Sequence, residues 1–114
     1  MNLEERNVKV AEGVGFEHGV VYIAFGKMVV DYWYYKGDRF ARHLPNFYES
    51  LDALDKWVIP ELLQRGYYVE LNQCELSDCS CRLLSVTDLP DKITYAKTLA
   101  TALFEATEEV INGD

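Results

Sequence analysis

The amino-acid sequence predicts an α+β domain in which helices pack on a mainly antiparallel sheet, in the order α-β-β-α-β-β-α. Segments with apolar residues three and four positions apart, typical of helices, alternate with runs rich in β-branched and aromatic residues, typical of strands. The strand-like runs also come in pairs joined by short turns, as hairpins do, whereas parallel strands need a long crossover. With 114 residues and neither a linker nor a repeat, residues 1–114 are predicted to form a single domain.

The chain begins with a predicted short helix. Asn2 and Glu5 have the spacing of an N-cap and the third helical residue, where side chains satisfy free backbone amides. A thin apolar stripe follows, and two glycines end the helix because glycine readily adopts the left-handed conformation. The stripe consists of Leu3, Val10 and Val14, and the glycines are Gly13 and Gly15.

Residues 20–43 are predicted to form a hairpin or a meander. Residues 20–25 and 28–35 are strand-like, with Gly26-Lys27 as a two-residue turn between them. A second turn signal, Lys36-Gly37-Asp38, precedes residues 39–43. The middle strand therefore pairs backward, forward or both ways, and its register stays open.

A second helix is predicted after Ser50, which is a favourable N-cap, and it ends at Gly66. Pro60 falls inside this helix, where it removes a hydrogen bond and clashes with the carbonyl four residues earlier. We expect a kink near Lys56 or two short helices that meet there. The apolar face of the helix consists of Leu51, Leu54, Val58 and Leu62.

The last third of the chain predicts a second hairpin and a final helix. Residues 67–72 and 81–86 are strand-like, and residues 89–91 open a loop. The final helix is predicted to begin between Thr94 and Thr98, both of which are favourable caps. Its apolar residues, spaced three and four apart, are Ala96, Leu99, Leu103, Ala106 and Val110.

Charge and composition exclude several classes of function. Nineteen acidic against eleven basic residues give a net charge of -8, which disfavours direct binding to nucleic acid or to an anionic membrane. No apolar run approaches the ~20 residues of a membrane span, and the polar start is not a signal peptide. An odd number of cysteines favours a reducing compartment, so we expect a cytoplasmic protein.

Three cysteines lie within eight residues: Cys74, Cys79 and Cys81. Structural zinc sites usually have four ligands in two pairs, and only His18 and His43 are available to complete this set. In a strand, Cys79 and Cys81 face the same side, as core residues also would. The incomplete ligand set favours small apolar packing residues and an exposed thiol over a metal site.

An aromatic run forms the most conspicuous candidate surface. Tyr32 and Tyr34 share one face of a strand, and Trp33 and Tyr35 share the other. Their rings belong to the core if helices cover both faces, or to a contact surface if one face is open. A basic cluster follows closely and could hold a nucleotide, although a solvated turn is its commoner meaning. The cluster consists of Lys36, Arg39, Arg42 and His43.

Catalytic motifs are missing from the sequence. The Gly13-Val14-Gly15 segment lacks the later glycine of a phosphate-binding loop, and no strand precedes it. Neither histidine lies near a recognisable nucleophile turn. We therefore expect no enzymatic activity and no cofactor.

A set of short motifs extends from Leu44 to about Ile111. It consists of Leu44-Pro45, Tyr48, Ser50, Asp52, Trp57, Gly66-Tyr67-Tyr68-Val69, Cys81-Arg82-Leu83, Thr98-Leu99-Ala100, Ala102-Leu103 and Ala106. On these residues the chain resembles small phage and prophage proteins that have an ABA-sandwich (helix-sheet-helix) domain. The resemblance implies a sandwich fold and a phage or mobile-element origin, and it implies no catalytic residues.

These features together predict a non-enzymatic accessory protein of phage or prophage origin that binds a host or defence protein through an acidic and aromatic surface. Acidic residues on the final helix, Glu105, Glu108 and Glu109, would compete for a basic groove. One alternative is a small-ligand or nucleotide-binding protein that uses Trp33, Tyr35, Arg39 and Arg42. Another alternative is a homo-oligomeric module in which aromatic faces pair across a two-fold axis.

Overall fold

A computed structural model describes residues 2–23, 28–41, 43–73, 78–86 and 90–112 of the chain. The fold is α+β, as predicted, and its described strands form two three-stranded antiparallel sheets. The elements in chain order are α1 (Leu3–Gly13), β1 (Phe16–Ile23), β2 (Met28–Tyr35), β3 (Asp38–Ala41), α2 (Leu51–Ala53), a π-helical turn (Leu54–Val58), α3 (Ile59–Gln64), β4 (Tyr67–Asn72), β5 (Cys79–Ser85), β6 (Lys92–Ala96) and α4 (Leu99–Asn112).

The helix α1 begins at its predicted cap. The Asn2 side chain accepts a hydrogen bond from the Glu5 amide at 2.9 Å. Gly15 follows the helix with a φ of +112°, in the left-handed region that favours glycine. One part of the predicted stripe is wrong, because Leu3 is exposed while Val10 and Val14 are buried.

The first sheet has the order β1-β2-β3, so the middle strand pairs both ways. The strand β1 starts at Phe16, four residues earlier than predicted. It pairs with β2, and Phe16 lies opposite Tyr35. A turn at Lys36 and Gly37, both with positive φ, joins β2 to β3. The predicted turn at Gly26-Lys27 lies outside the described residues.

Pro60 is accommodated without a break in the helix. Ser50 caps α2 by accepting from the Ala53 amide at 3.1 Å, and the chain then widens into the π-helical turn before α3. The Ile59 amide bonds to the Leu54 carbonyl, five residues back. Because proline has no amide hydrogen, wider winding just before it adapts the hydrogen-bond pattern. The irregularity predicted near Lys56 is therefore this turn.

The second sheet has the order β4-β5-β6, and β6 corrects the sequence prediction. Thr94 and Ala96 belong to this strand and not to the final helix. Ala96 lies three residues before Leu99, so its spacing imitates the helical period. Thr98 is the actual cap, since its hydroxyl accepts from the Thr101 amide at 3.1 Å.

One apolar core joins the two sheets through the helices. The helix α4 packs on β5 and β6, and α1 packs on α4 and β1. Trp57 of the π-helical turn packs edge-on against Phe16 of β1, with ring centroids 5.5 Å apart. None of the described helices is long and apolar enough to cross a membrane.

Candidate functional site

The aromatic strand β2 contributes to both faces of the first sheet. Trp33 and Tyr35 lie on the face that packs against the core, and the Tyr35 ring lies 4.8 Å from that of Phe16. Tyr32 and Tyr34 lie on the opposite face and are half-buried. The run is therefore neither wholly core nor wholly surface.

Gly19 lets Tyr34 lie flat against the neighbouring strand. A Cβ atom on Gly19 would stand only 2.5 Å from the Cε2 of Tyr34. The ring of Tyr34 thus occupies the space above a residue that has no side chain. This cross-strand contact explains how a large ring is half-buried on the face of the sheet opposite the core.

The basic cluster is only partly described. Arg39 lies on β3 opposite Tyr34, but its side chain and the whole of Arg42 lie outside the described part of the structure. The ammonium of Lys36 lies 5.4 Å from the centre of the Tyr35 ring. His43 lies instead on the wall of a cleft near α1.

The acidic face of α4 is partly neutralised by neighbouring basic residues. Arg6 of α1 forms a two-pronged ion pair with Glu108, through Nε at 2.8 Å and Nη2 at 2.5 Å. This hydrogen bonding raises the pKa of Arg6, against the opposing effect of burial. Lys92 lines the same surface depression as Glu105 and Glu109. The three acids of α4 therefore do not form a purely negative surface.

The cysteines behave as core residues. Cys79 and Cys81 are buried on one side of β5, and Ser80 lies on the other. The Cys79 thiol lies 3.6 Å from the Lys97 carbonyl, and burial raises the pKa of Cys81 to about 12. Cys74 lies outside the described residues. Within the described part of the chain, no group of three or more residues is arranged to hold a metal ion.

A cleft of about 490 Å³ lies between α1, the first sheet and the loop that precedes α2. We name it the α1 cleft. The sequence did not predict this cleft, because its walls come from segments that are far apart in the chain. Its described lining consists of Glu4, Asn7, Val8, His18, Asp31, Trp33, His43, Leu44, Asn46 and Tyr48.

The α1 cleft combines negative charge with aromatic rings. Glu4 and Asp31 supply two carboxylates, and no lysine or arginine is among the described lining residues. His18 links the two kinds of group: its Nε2 lies 3.4 Å from Asp31 Oδ1, and its ring stands edge-on to Trp33 with centroids 5.2 Å apart. The Glu4 side chain forms no hydrogen bond or ion pair with any residue that the structure describes. Such a site attracts cations through both carboxylates and ring faces.

The wall of the α1 cleft is held in place by a buried asparagine. Asn7 of α1 accepts from the Phe47 amide at 2.8 Å and donates to the Pro45 carbonyl at 2.8 Å. Both ends of its carboxamide are therefore used, and the loop is fixed against the helix. The cleft has its shape before any ligand enters, which reduces the cost of binding.

A second candidate surface is the face of the second sheet that is turned away from α4, which we name the open face. Tyr68, Ile93 and Tyr95 are 59%, 46% and 63% exposed there. The alternation of apolar and polar residues in β4 was visible in the sequence, but the open face was not predicted because β6 was not identified as a strand from the sequence. The residues of the open face are Tyr68, Glu70, Asn72, Ser80, Arg82, Leu84, Ile93 and Tyr95.

No protein-family model, curated protein or solved structure matches this chain.

Proposed function

We propose that this chain is a non-enzymatic protein that binds a host or defence protein, and that the α1 cleft receives a basic side chain of that partner. The observation that carries the proposal is the pairing of two carboxylates, Glu4 and Asp31, with the ring of Trp33 in one concave site. A guanidinium or ammonium group gains from both, since carboxylates attract its charge and aromatic faces attract cations. The resemblance to phage and prophage proteins implies the origin in this proposal. The class of partner, including inhibition of an anti-phage defence, rests on the acidic charge, the number of aromatic residues and the missing catalytic motifs.

The charges at the α1 cleft also favour a protein partner over a nucleotide. A nucleotide would bring phosphate groups next to the carboxylates of Glu4 and Asp31, where like charges repel. Trp33 could stack on a base, but the described lining, which does not extend to the side chain of Arg39 or to Arg42, offers no arginine or lysine to hold a phosphate.

The experiment compares capture by two variants that remove the same number of acids. E4Q/D31N neutralises the α1 cleft, whereas E105Q/E109Q neutralises the face of α4. Each purified protein is immobilised and exposed to a bacterial lysate, and a protein retained by the wild type is purified and titrated by calorimetry. We expect E4Q/D31N to raise the dissociation constant at least tenfold and E105Q/E109Q to change it less than twofold.

Two results would overturn the proposal. One is equal affinity of the partner for the wild type and for E4Q/D31N. The other is a loss of binding in E105Q/E109Q alone, which would move the site to α4. Thermal unfolding of both variants checks that the fold survives. We expect it to survive, because the four acids are exposed or half-buried and each is changed to an amide of the same shape.

A further inference from the structure

The open face carries apolar and aromatic side chains that no described residue covers. Tyr68 and Tyr95 are more than half exposed at diagonally opposite corners of the face, since Tyr68 is level with Leu84 and Tyr95 is level with Ser80. Ile93 is exposed between these two levels. Exposed aromatic and apolar side chains on one face of a sheet mark a contact with another molecule. We infer that the open face docks on the same face of a second copy of the chain.

The centre of the open face is charged and self-complementary. Glu70 and Arg82 are directly opposite on β4 and β5. The Arg82 side chain is exposed and forms no ion pair or hydrogen bond with any residue that the structure describes. Glu70 is positioned by Asn72, whose Nδ2 donates to its Oε1 at 3.0 Å. One acid and one base thus stand side by side, and among the residues that the structure describes neither has a partner of opposite charge within 4.0 Å.

A two-fold axis that runs along the strands, between β4 and β5, satisfies both charges at once. This rotation places β4 of one copy over β5 of the other at the same level along the strands. Glu70 then faces Arg82 of the second copy, and Tyr68 faces Leu84 of the second copy. Tyr and Arg are the residues enriched at the centre of protein interfaces. Ile93 and Tyr95 of β6 lie at the rim, with Ile93 level with the charge pair and Tyr95 level with Ser80.

The size of the patch sets the expected strength of the dimer. Three strands about 4.8 Å apart and five residues long, at about 3.3 Å per residue, give a patch of roughly 17 by 14 Å. The area of the patch, roughly 240 Å², is about a third of the ~800 Å² that each partner buries in a standard interface. The charge of -8 on each copy also opposes association. We therefore expect a weak dimer, to be measured in 0.15 M salt, where charges more than ~8 Å apart are screened.

The test uses charge reversal at the two central positions. Sedimentation equilibrium is run on the wild type, on E70R, on R82E, on their 1:1 mixture and on E70R/R82E. We expect each single variant to bind itself at least tenfold more weakly than the wild type, because like charges then face each other. The mixture and the double variant are expected to return to within threefold of the wild type, because opposite charges face each other again. E12R and K9E, on exposed positions of α1, are the matched controls and should dimerise like the wild type.

Three results would overturn this inference: a wild type that stays at 13.1 kDa up to 500 μM, single variants that dimerise as well as the wild type, or a mixture that does not recover. A monomeric wild type would assign the open face to a different protein. No residue of the open face lines the α1 cleft, so E4Q/D31N should leave dimerisation unchanged. The failure of one proposal is therefore distinguishable from the failure of the other.

Discussion

The carboxamide oxygen of Asn7 accepts the backbone amide of Phe47 at 2.8 Å, which ties α1 to the loop that leads into α2. Phe47 is completely buried, and its ring lies 5.9 Å from that of Phe16. The same asparagine donates to Pro45, so one polar side chain positions a core aromatic ring and the wall of the α1 cleft together. Stability and the binding site therefore depend on the same residue.

Replacing Asn7 by alanine should lower the free energy of unfolding by about 1–3 kcal/mol. The change leaves the buried Phe47 amide without an acceptor, and an unsatisfied buried donor carries that penalty. Urea denaturation followed by tryptophan fluorescence measures the effect. Asn46→Ala, at an exposed position of the same loop, is the control and should cost less than ~0.5 kcal/mol. Equal losses in both variants would contradict the role assigned to Asn7.

The ion pair between Arg6 and Glu108 should be energetically coupled. The Glu108 side chain is only 16% exposed and the pair is two-pronged, so removing either residue strands its partner. A double-mutant cycle with R6M and E108Q is expected to give a coupling energy of about 1–2 kcal/mol, which falls as salt is added. Arg65 and Glu61, which are spaced i,i+4 on one helix, provide the comparison and should couple by about 0.5 kcal/mol or less. A coupling energy near zero for Arg6 and Glu108 would show that the ion pair does not stabilise the fold.

Burial of Cys81 should make the protein less stable at high pH. The folded state keeps the thiol proton until about pH 12, whereas the unfolded chain loses it near pH 9. Between these values the unfolded state binds fewer protons, so stability from this group falls as pH rises, by at most ~1.4 kcal/mol per pH unit. Below pH 9 the thiol of Cys81 is protonated in both states, so its contribution to the free energy of unfolding no longer changes with pH.

The measurement for Cys81 is urea denaturation of the wild type and Cys81→Ala at pH 8, 9, 10 and 11. The wild type should be the more stable protein at pH 8, because alanine leaves a cavity in a fully buried position. Its advantage should shrink from pH 9 upward. Other groups titrate in both proteins alike and cancel in the difference. A difference that stays constant through pH 11 would refute the assignment.

Gly19 should tolerate a methyl group only when the ring of Tyr34 is removed. In the wild type, Gly19→Ala drives the ring away from its place and should destabilise the protein by about 1–2 kcal/mol. In a Tyr34→Ala background the same change should be neutral or stabilising by up to ~1 kcal/mol, because alanine has the lower entropy cost in a strand. Thermal unfolding of the four proteins measures this reversal. The same sign in both backgrounds would show that Tyr34 does not determine the tolerance.

Local signals in the sequence predicted most of the elements, because caps and alternation act over a few residues. Asn2, Ser50 and Thr98 each cap a helix as their spacing indicates, and β4 has the predicted bounds. The strand β6 was missed because Ala96 fits the helical period of the residues after it. The open face could not be seen without that strand.

The α1 cleft was beyond local signals for a different reason. It joins Glu4, Asp31 and His43 through tertiary packing, and no spacing in the sequence relates these positions. Trp33 was singled out in the sequence as an aromatic residue, but its neighbours in space were not. The acids of α4 were visible in the sequence, but the residue that neutralises one of them was not. Arg6 comes next to Glu108 only through the packing of α1 on α4.

The most direct test of the α1 cleft is an NMR titration of the labelled protein with the peptide acetyl-Ala-Arg-Ala-amide. The same peptide with citrulline in place of arginine serves as the neutral isostere. We predict that the arginine peptide shifts the indole N–H signal of Trp33 with a dissociation constant of about 1–10 mM, equivalent to roughly 3–4 kcal/mol. Affinity should fall at least fivefold for the citrulline peptide and for E4Q/D31N. Equal shifts with both peptides, or none at 20 mM arginine peptide, would contradict a cleft that recognises a basic side chain.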